Sequence, residues 1–198
     1  MKQGLAEIVV VLDRSGSMST IREDMIGGFD AFISEQQKLP GECSVTLTQF
    51  DNDYEVVYSG KPLKDVPGLD LVPRGSTALM DAIGRTIGEV GARLKTTPED
   101  QRPERVLFVI LTDGAENASR EFTKASINQM VTHQRTKYKW EFVYIGANQD
   151  SFAEAGQLGI GIAQNFAANA IGVKGMSSDL SEGTRSYRGG GGYKIEKT

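Results

Sequence analysis

The chain has 198 residues, which at about 150 residues per domain makes one domain with an appendage the expectation. Hydrophobic residues make up 39% of it, enough at this length to bury about 70% of the unfolded chain's surface and to exclude a wholly disordered protein. Twenty-two basic residues against twenty-six acidic ones leave a formal charge of −4, the wrong sign for a general nucleic-acid binder that works by neutralising phosphates.

One cysteine, Cys43, and one histidine, His133, exclude an intramolecular disulfide and a zinc site of clustered Cys and His. The first apolar run, Ile8 to Leu12, is cut short by Asp13, whereas a signal peptide needs about 7–15 apolar residues there. Val106 to Leu111 falls far below the roughly 20 residues of a membrane span. A cytoplasmic protein with no membrane partner is expected.

Ile8–Leu12 and Val106–Leu111 are continuous, β-branched and apolar, the pattern of strands covered on both faces in a parallel sheet. After the first, Thr20-Ile21-Arg22-Glu23 matches a capping box. Met25, Ile26, Phe29, Phe32 and Ile33 then recur at helical spacing until Leu39-Pro40-Gly41. Ser44–Phe50 and Tyr54–Tyr58 flank the polar turn Asp51-Asn52-Asp53 and predict a hairpin. A Pro- and Gly-bearing loop leads to a second long helix, Thr77–Leu94. Its stripe is Leu79, Ile83, Ile87, Val90 and Leu94, with Gly84, Gly88 and Gly91 as close-packing surfaces.

Beyond Val106–Leu111 the pattern predicts a helix over Thr123–Tyr138 and a strand over Trp140–Ile145. A short helix capped by Asp150/Ser151 and a last strand near Gly161–Asn165 follow. The alternation is that of an α/β doubly wound, Rossmann-like three-layer α/β/α domain, its central sheet mostly parallel with one antiparallel edge hairpin strand. The domain is expected over residues 1–170. Residues 171–198 form a C-terminal segment, read as a weak helix over Val173–Tyr187 with Met176 and Leu180 inward, then a flexible glycine-rich tail.

Ligands of open α/β sheets bind outside the carboxyl ends of the strands. There the first strand delivers Asp13-Arg14-Ser15-Gly16-Ser17, the second buried strand delivers Thr112-Asp113-Gly114-Ala115-Glu116-Asn117, and Arg74-Gly75-Ser76 precedes the helix at Thr77. These loops offer oxygen donors without sulfur or imidazole, and hard oxygen donors select Mg²⁺, Mn²⁺ or Ca²⁺.

The DxSxS pattern at Asp13, Ser15 and Ser17, Thr77 at the head of a helix, and Thr112-Asp113-Gly114 after a buried strand together resemble the von Willebrand factor A domain with its metal-ion-dependent adhesion site. The likeness spans roughly Leu5 to Phe166 and extends to small stand-alone bacterial or phage members, including tellurite-resistance-associated A domains, which act in multiprotein systems. It implies a metal site of Asp13, Ser15, Ser17, Thr77 and Asp113. In it Ser15 and Ser17 are direct ligands, Thr77 is a ligand in the ligand-occupied state, and the two carboxylates act largely through water. It further implies a protein partner that supplies an acidic residue to the bound Mg²⁺ or Mn²⁺, and no enzymatic activity.

Two other readings compete. A phosphoryl-transfer enzyme of the haloacid-dehalogenase type also places an Asp after a buried strand, but it needs a second Asp two positions on as acid/base, where this chain has Ser15. A metal-free scaffold would be indifferent to chelators. Glu116 and Asn117 are expected to support the site from behind or to face solvent, His133 to lie at the surface, and Cys43 to be a small buried hydrophobe.

Overall fold

Apolar β-branched runs build the centre of the sheet, and their alternation decides which helices cover which face. A computed structural model describes residues 1–147 and 150–194. In chain order the elements are β1 (Lys2–Asp13), α1 (Arg22–Gln37), β2 (Glu42–Phe50), β3 (Tyr54–Pro62), α2 (Leu79–Thr96), β4 (Pro103–Thr112), α3 (Lys124–Tyr138), β5 (Glu141–Ala147), α4 (Ser151–Gln157), β6 (Ile162–Phe166) and α5 (Ala170–Arg188). The strands form one sheet in the order β3-β2-β1-β4-β5-β6. Every pair is parallel except the hairpin of β2 with β3 at the edge.

Successive residues of a strand face opposite sides of a sheet. Ile8, Val10 and Leu12 of β1 accordingly join α1 and α5 in one core, while Val9 and Val11 join α2, α3 and α4 in the other. Among the described residues no helix is long and apolar enough to cross a membrane.

Three local expectations change. The capping box at Thr20 does not form, because residues Gly16–Ile21 make a 3₁₀ turn and the Thr20 hydroxyl donates to the Ser17 carbonyl instead. In α2 only Gly84 is a close-packing surface. A Cβ there would stand 2.5 Å from the Phe122 ring, whereas one at Gly88 would meet nothing within 4 Å and one at Gly91 only the end of Gln134.

The expected C-terminal helix forms with Met176 and Leu180 inward, but it extends beyond Val173–Tyr187 and the glycine run after it is anchored. Helix α5 runs 19 residues, and its Val173, Met176, Leu180 and Tyr187 are buried in the α1 core. Gly28 of α1 lets the helices approach, since a Cβ there would stand 3.1 Å from Val173, and its carbonyl accepts from Ser177 Oγ at 2.6 Å. The glycine run is tied down by Arg105, whose guanidinium donates to the carbonyls of Tyr187, Gly190 and Gly191 and lies over the Tyr187 ring. Tyr193 then buries its ring against Gly183. Residues 195–198 lie outside the described residues.

The α2 glycines make opposite expectations testable by thermal or chemical unfolding. Gly84→Ala is expected to destabilise by about 1–3 kcal/mol through overpacking against Phe122. Gly88→Ala, exposed in a helix interior, is expected to stabilise by about 0.5–1 kcal/mol.

Candidate metal centre

The site is assembled by register. β1 and β4 pair in parallel with Leu12 opposite Leu111, so the residues that follow each strand emerge side by side at one edge of the sheet. Asp13 is fully buried there. Its Oδ1 accepts from Ser15 N at 2.7 Å and its Oδ2 from Thr112 Oγ1 at 2.6 Å, which ties the first loop to the end of β4. Ser15 Oγ lies 3.1 Å from Ser17 Oγ, and Ser17 Oγ donates to Asp113 Oδ1 at 2.6 Å.

Thr77 enters from a third segment. Gly16 N donates to the Gly75 carbonyl at 3.1 Å and Arg74 N to the Arg14 carbonyl at 2.8 Å, laying residues 74–75 alongside the Ser15 loop. Gly75 takes φ +67° at this crossing, a conformation that favours glycine. Thr77 is then gripped by Asn117, whose side-chain oxygen accepts from Thr77 N at 2.9 Å while its own N–H donates to the Thr77 carbonyl at 3.1 Å.

Gly114 shows that the hydroxyls meet. A Cβ on it would stand 3.2 Å from Thr77 Oγ1, 3.6 Å from Ser17 Oγ and 3.9 Å from Ser15 Oγ. Three hydroxyls from two segments thus surround one point on a third, with Asp113 bonded to the group. All five residues expected from the sequence lie at this one edge.

The electrostatics favour a positive charge here. Burial pushes the Asp13 carboxyl up to about 6, against hydrogen bonds from Thr112 and Ser15, and the neighbouring Asp113 charge adds to the rise. Burial also raises Asp113, against the hydrogen bond from Ser17. Two carboxylates that pay for desolvation, with hydroxyls between them, are a donor set that suits a hard dication. Among the described residues no group of three or more His, Cys, Asp and Glu is placed to hold a metal, so the hydroxyls are indispensable to the donor count.

Glu116 and Asn117 support the site from behind, one of the two roles expected of them, whereas the roles of Asp81 and of the Arg14–Asp51 pair are not among the expectations. Glu116 neither reaches the hydroxyls nor faces solvent freely. Its Oε2 accepts from Met80 N at 2.9 Å, at the start of α2, and its Oε1 accepts from the N–H groups of Ala118 and Ser119. Asp81, one residue further along α2, accepts from the N–H groups of Arg120, Glu121 and Phe122, so the loop after β4 is stitched to the helix that Thr77 precedes. Below the hairpin turn, buried Arg14 donates to Asp51 Oδ2 at 2.8 Å and pairs with Glu55. Burial would raise Asp51, but the Asp53 N–H and the guanidiniums of Arg74 and Arg14 outweigh it and hold the carboxyl low. The bonds of Glu116 to Met80, of Asp81 to residues 120–122 and of Arg14 to Asp51 have no local sequence signal, because each joins residues more than thirty positions apart. His133 is exposed, edge-on to Tyr138 in the second half of α3. Cys43 is buried, its thiol pushed up to about 11 by that burial.

No protein-family model and no curated protein matches the chain. Solved structures do. The ArnB paralog VWA2 from Sulfolobus acidocaldarius aligns with TM-score 0.60 at 17% identity, over 92% of this chain and 45% of that one. Proximal thread matrix protein 1 from the mussel byssus, with a zinc-occupied MIDAS motif, aligns with TM-score 0.62 at 16% identity, over 92% and 46%. A von Willebrand factor type A protein from Catenulispora acidiphila aligns with TM-score 0.54 at 15% identity, over 89% and 42%. The fold is therefore that of von Willebrand factor A domains, and this chain spans less than half the length of each of these three chains.

The stitching of the β4 loop is open to test. Burial raises the Asp81 carboxyl, but the three backbone N–H groups prevail and hold it below its ordinary 3.8. A carboxyl lowered on folding stabilises at pH values above its unfolded pKa, and that stability disappears as the pH falls through the folded value. Asp81→Ala is expected to cost about 1–2 kcal/mol at neutral pH. In acid titrations followed by circular dichroism, its deficit against the wild type should narrow below pH 3.8.

Proposed function

We propose that this chain is a divalent-metal-dependent protein-interaction module. The convergence of Ser15, Ser17 and Thr77 around Gly114 carries the reading, and the zinc-occupied MIDAS motif of the byssus protein, a fold relative, supports it. Ser15, Ser17 and Thr77 would hold the ion through hydroxyls, with Asp13 and Asp113 as the supporting carboxylates. When bound, an ion in a shell of few charges supplies a Lewis-acidic position that takes up an anionic oxygen, such as the Asp or Glu carboxylate of a partner protein.

The chain's own residues do the rest. Asp13 fixes the Ser15 loop against Thr112, and Asn117 holds the Thr77 backbone so that its hydroxyl faces the other two. Gly114 leaves the space between them open. Mg²⁺ or Mn²⁺ is the ion we assign, with Ca²⁺ compatible with the same oxygen donors.

Binding is favoured over catalysis by the residue two positions after Asp13. Ser15 is bonded into the hydroxyl cluster there and has no carboxylate to carry a proton, and His133 belongs to the surface of α3. Within this reading the protein works as a component of a multiprotein system of bacterial or phage type, in the cytoplasm, where the free Cys43 thiol persists.

Calorimetric titration of chelator-stripped protein with Mg²⁺ and Mn²⁺ tests the proposal. One-site binding is expected in the wild type and its loss in the Ser15→Ala/Ser17→Ala pair, with circular dichroism unchanged. Gly114→Ala is expected to weaken the ion by about tenfold or more by crowding the hydroxyls. Unchanged metal binding in both variants would overturn the assignment.

A further inference from the structure

Arg74 lies on the segment that runs alongside the Ser15 loop and leads to Thr77, without belonging to the proposed metal position. Its backbone pairs with Arg14, the next residue pairs with Gly16, and Thr77 lies three positions on, within about 11 Å of the Arg74 Cα by chain length alone. Its side chain is 54% exposed, and its Nε donates to Asp51 Oδ2 at 2.8 Å.

Asp51 has further partners besides Arg74. It is buried, its Oδ1 already accepts from the Asp53 N–H at 2.7 Å, and its Oδ2 already accepts from buried Arg14. The pairing also fixes the Nε edge of Arg74. With Nε committed, the two terminal nitrogens of Arg74 have no partner among the described residues. That end of a guanidinium matches a carboxylate in a planar, two-bonded fit.

We propose that Arg74 is a second anchor for the partner, which therefore presents two acidic side chains: one for the metal position and one for the Arg74 guanidinium. This inference rests on the metal-dependent reading above and specifies the class of partner. Side chains of an extended peptide alternate faces at about 3.4 Å per residue, so two acids two residues apart share one face about 7 Å from each other, a separation within the chain-length limit between Arg74 and Thr77. The arginine supplies charge and orientation, and it selects for a pair of carboxylates over a single one. Arg120 gives the internal comparison. It is also exposed, on the loop after β4, but its side chain has no orienting partner among the described residues.

Two acetylated alanine peptides test this by NMR titration in Mg²⁺: one carries a single aspartate, the other a second aspartate two residues on. The wild type is expected to bind the second about fivefold more tightly, the upper end for a solvent-exposed ion pair. The gap should close in Arg74→Gln and persist in Arg120→Gln, while Arg74→Gln keeps its Mg²⁺ affinity and its affinity for the single-aspartate peptide. A gap that survives Arg74→Gln, that vanishes equally in Arg120→Gln, or that disappears together with Mg²⁺ binding overturns the second anchor. Equal binding of the two peptides by the wild type, still Mg²⁺-dependent, removes the second anchor and leaves the metal reading standing. Failure of both peptides to bind Mg²⁺-loaded protein removes the carboxylate-partner reading and this inference with it.

Discussion

Asp13 is a carboxylate with no exposure to solvent, placed at the end of a strand directly after five fully buried apolar side chains, Ile8 to Leu12. Such a group is costly to bury unless hydrogen-bonded, and it is bonded on both sides: to the Thr112 hydroxyl at the end of β4 and to the Ser15 N–H of its own loop. The Thr112 bond exists because β1 and β4 run parallel with Leu12 beside Leu111. A slip of one residue would exchange the core-facing sets of β1 and move Asp13 away from Thr112. The two apolar cores that enforce the register thus also determine where the polar loops meet.

From that fixed point the remaining parts are positioned by backbone bonds more than by side-chain packing. The Arg14–Gly16 segment pairs with residues 74–75, Asn117 grips Thr77, and Glu116 and Asp81 bind the β4 loop to the first turn of α2. Three segments far apart in sequence are held by interlocking hydrogen bonds, which lowers the ordering cost of bringing hydroxyls to one point. The hydroxyls carry no charge, so the centre leaves a bound dication less neutralised than a cage of carboxylates would. That is the physical reason the proposed centre would suit reversible capture of an outside carboxylate.

Much of this was legible in the sequence. The central strands announce themselves as apolar runs, the hairpin by its polar Asp51-Asn52-Asp53 turn, and the donors by their place directly after buried strands. The failures have physical causes. Thr20 looks like a helix cap, but the loop that carries Ser17 tightens into a 3₁₀ turn and takes its hydroxyl. Helix α5 looks weak because Gly and Ser dilute it, yet its Ser177 is what bonds Gly28 of α1 in a close helix contact, and Val173, Met176, Leu180 and Tyr187 keep helical spacing. The Arg105 clamp on the glycine run and the Arg14–Asp51 pair join residues distant in sequence, which no local pattern records.

The most direct test of the central claim, that Ser15, Ser17 and Thr77 with the two aspartates form one cation site, is anomalous diffraction at the manganese edge from crystals grown in Mn²⁺. The expected result is a single strong peak within bonding distance of the Ser15 and Ser17 hydroxyls, beside Gly114. A peak elsewhere on the chain, or none there at saturating Mn²⁺, would contradict it.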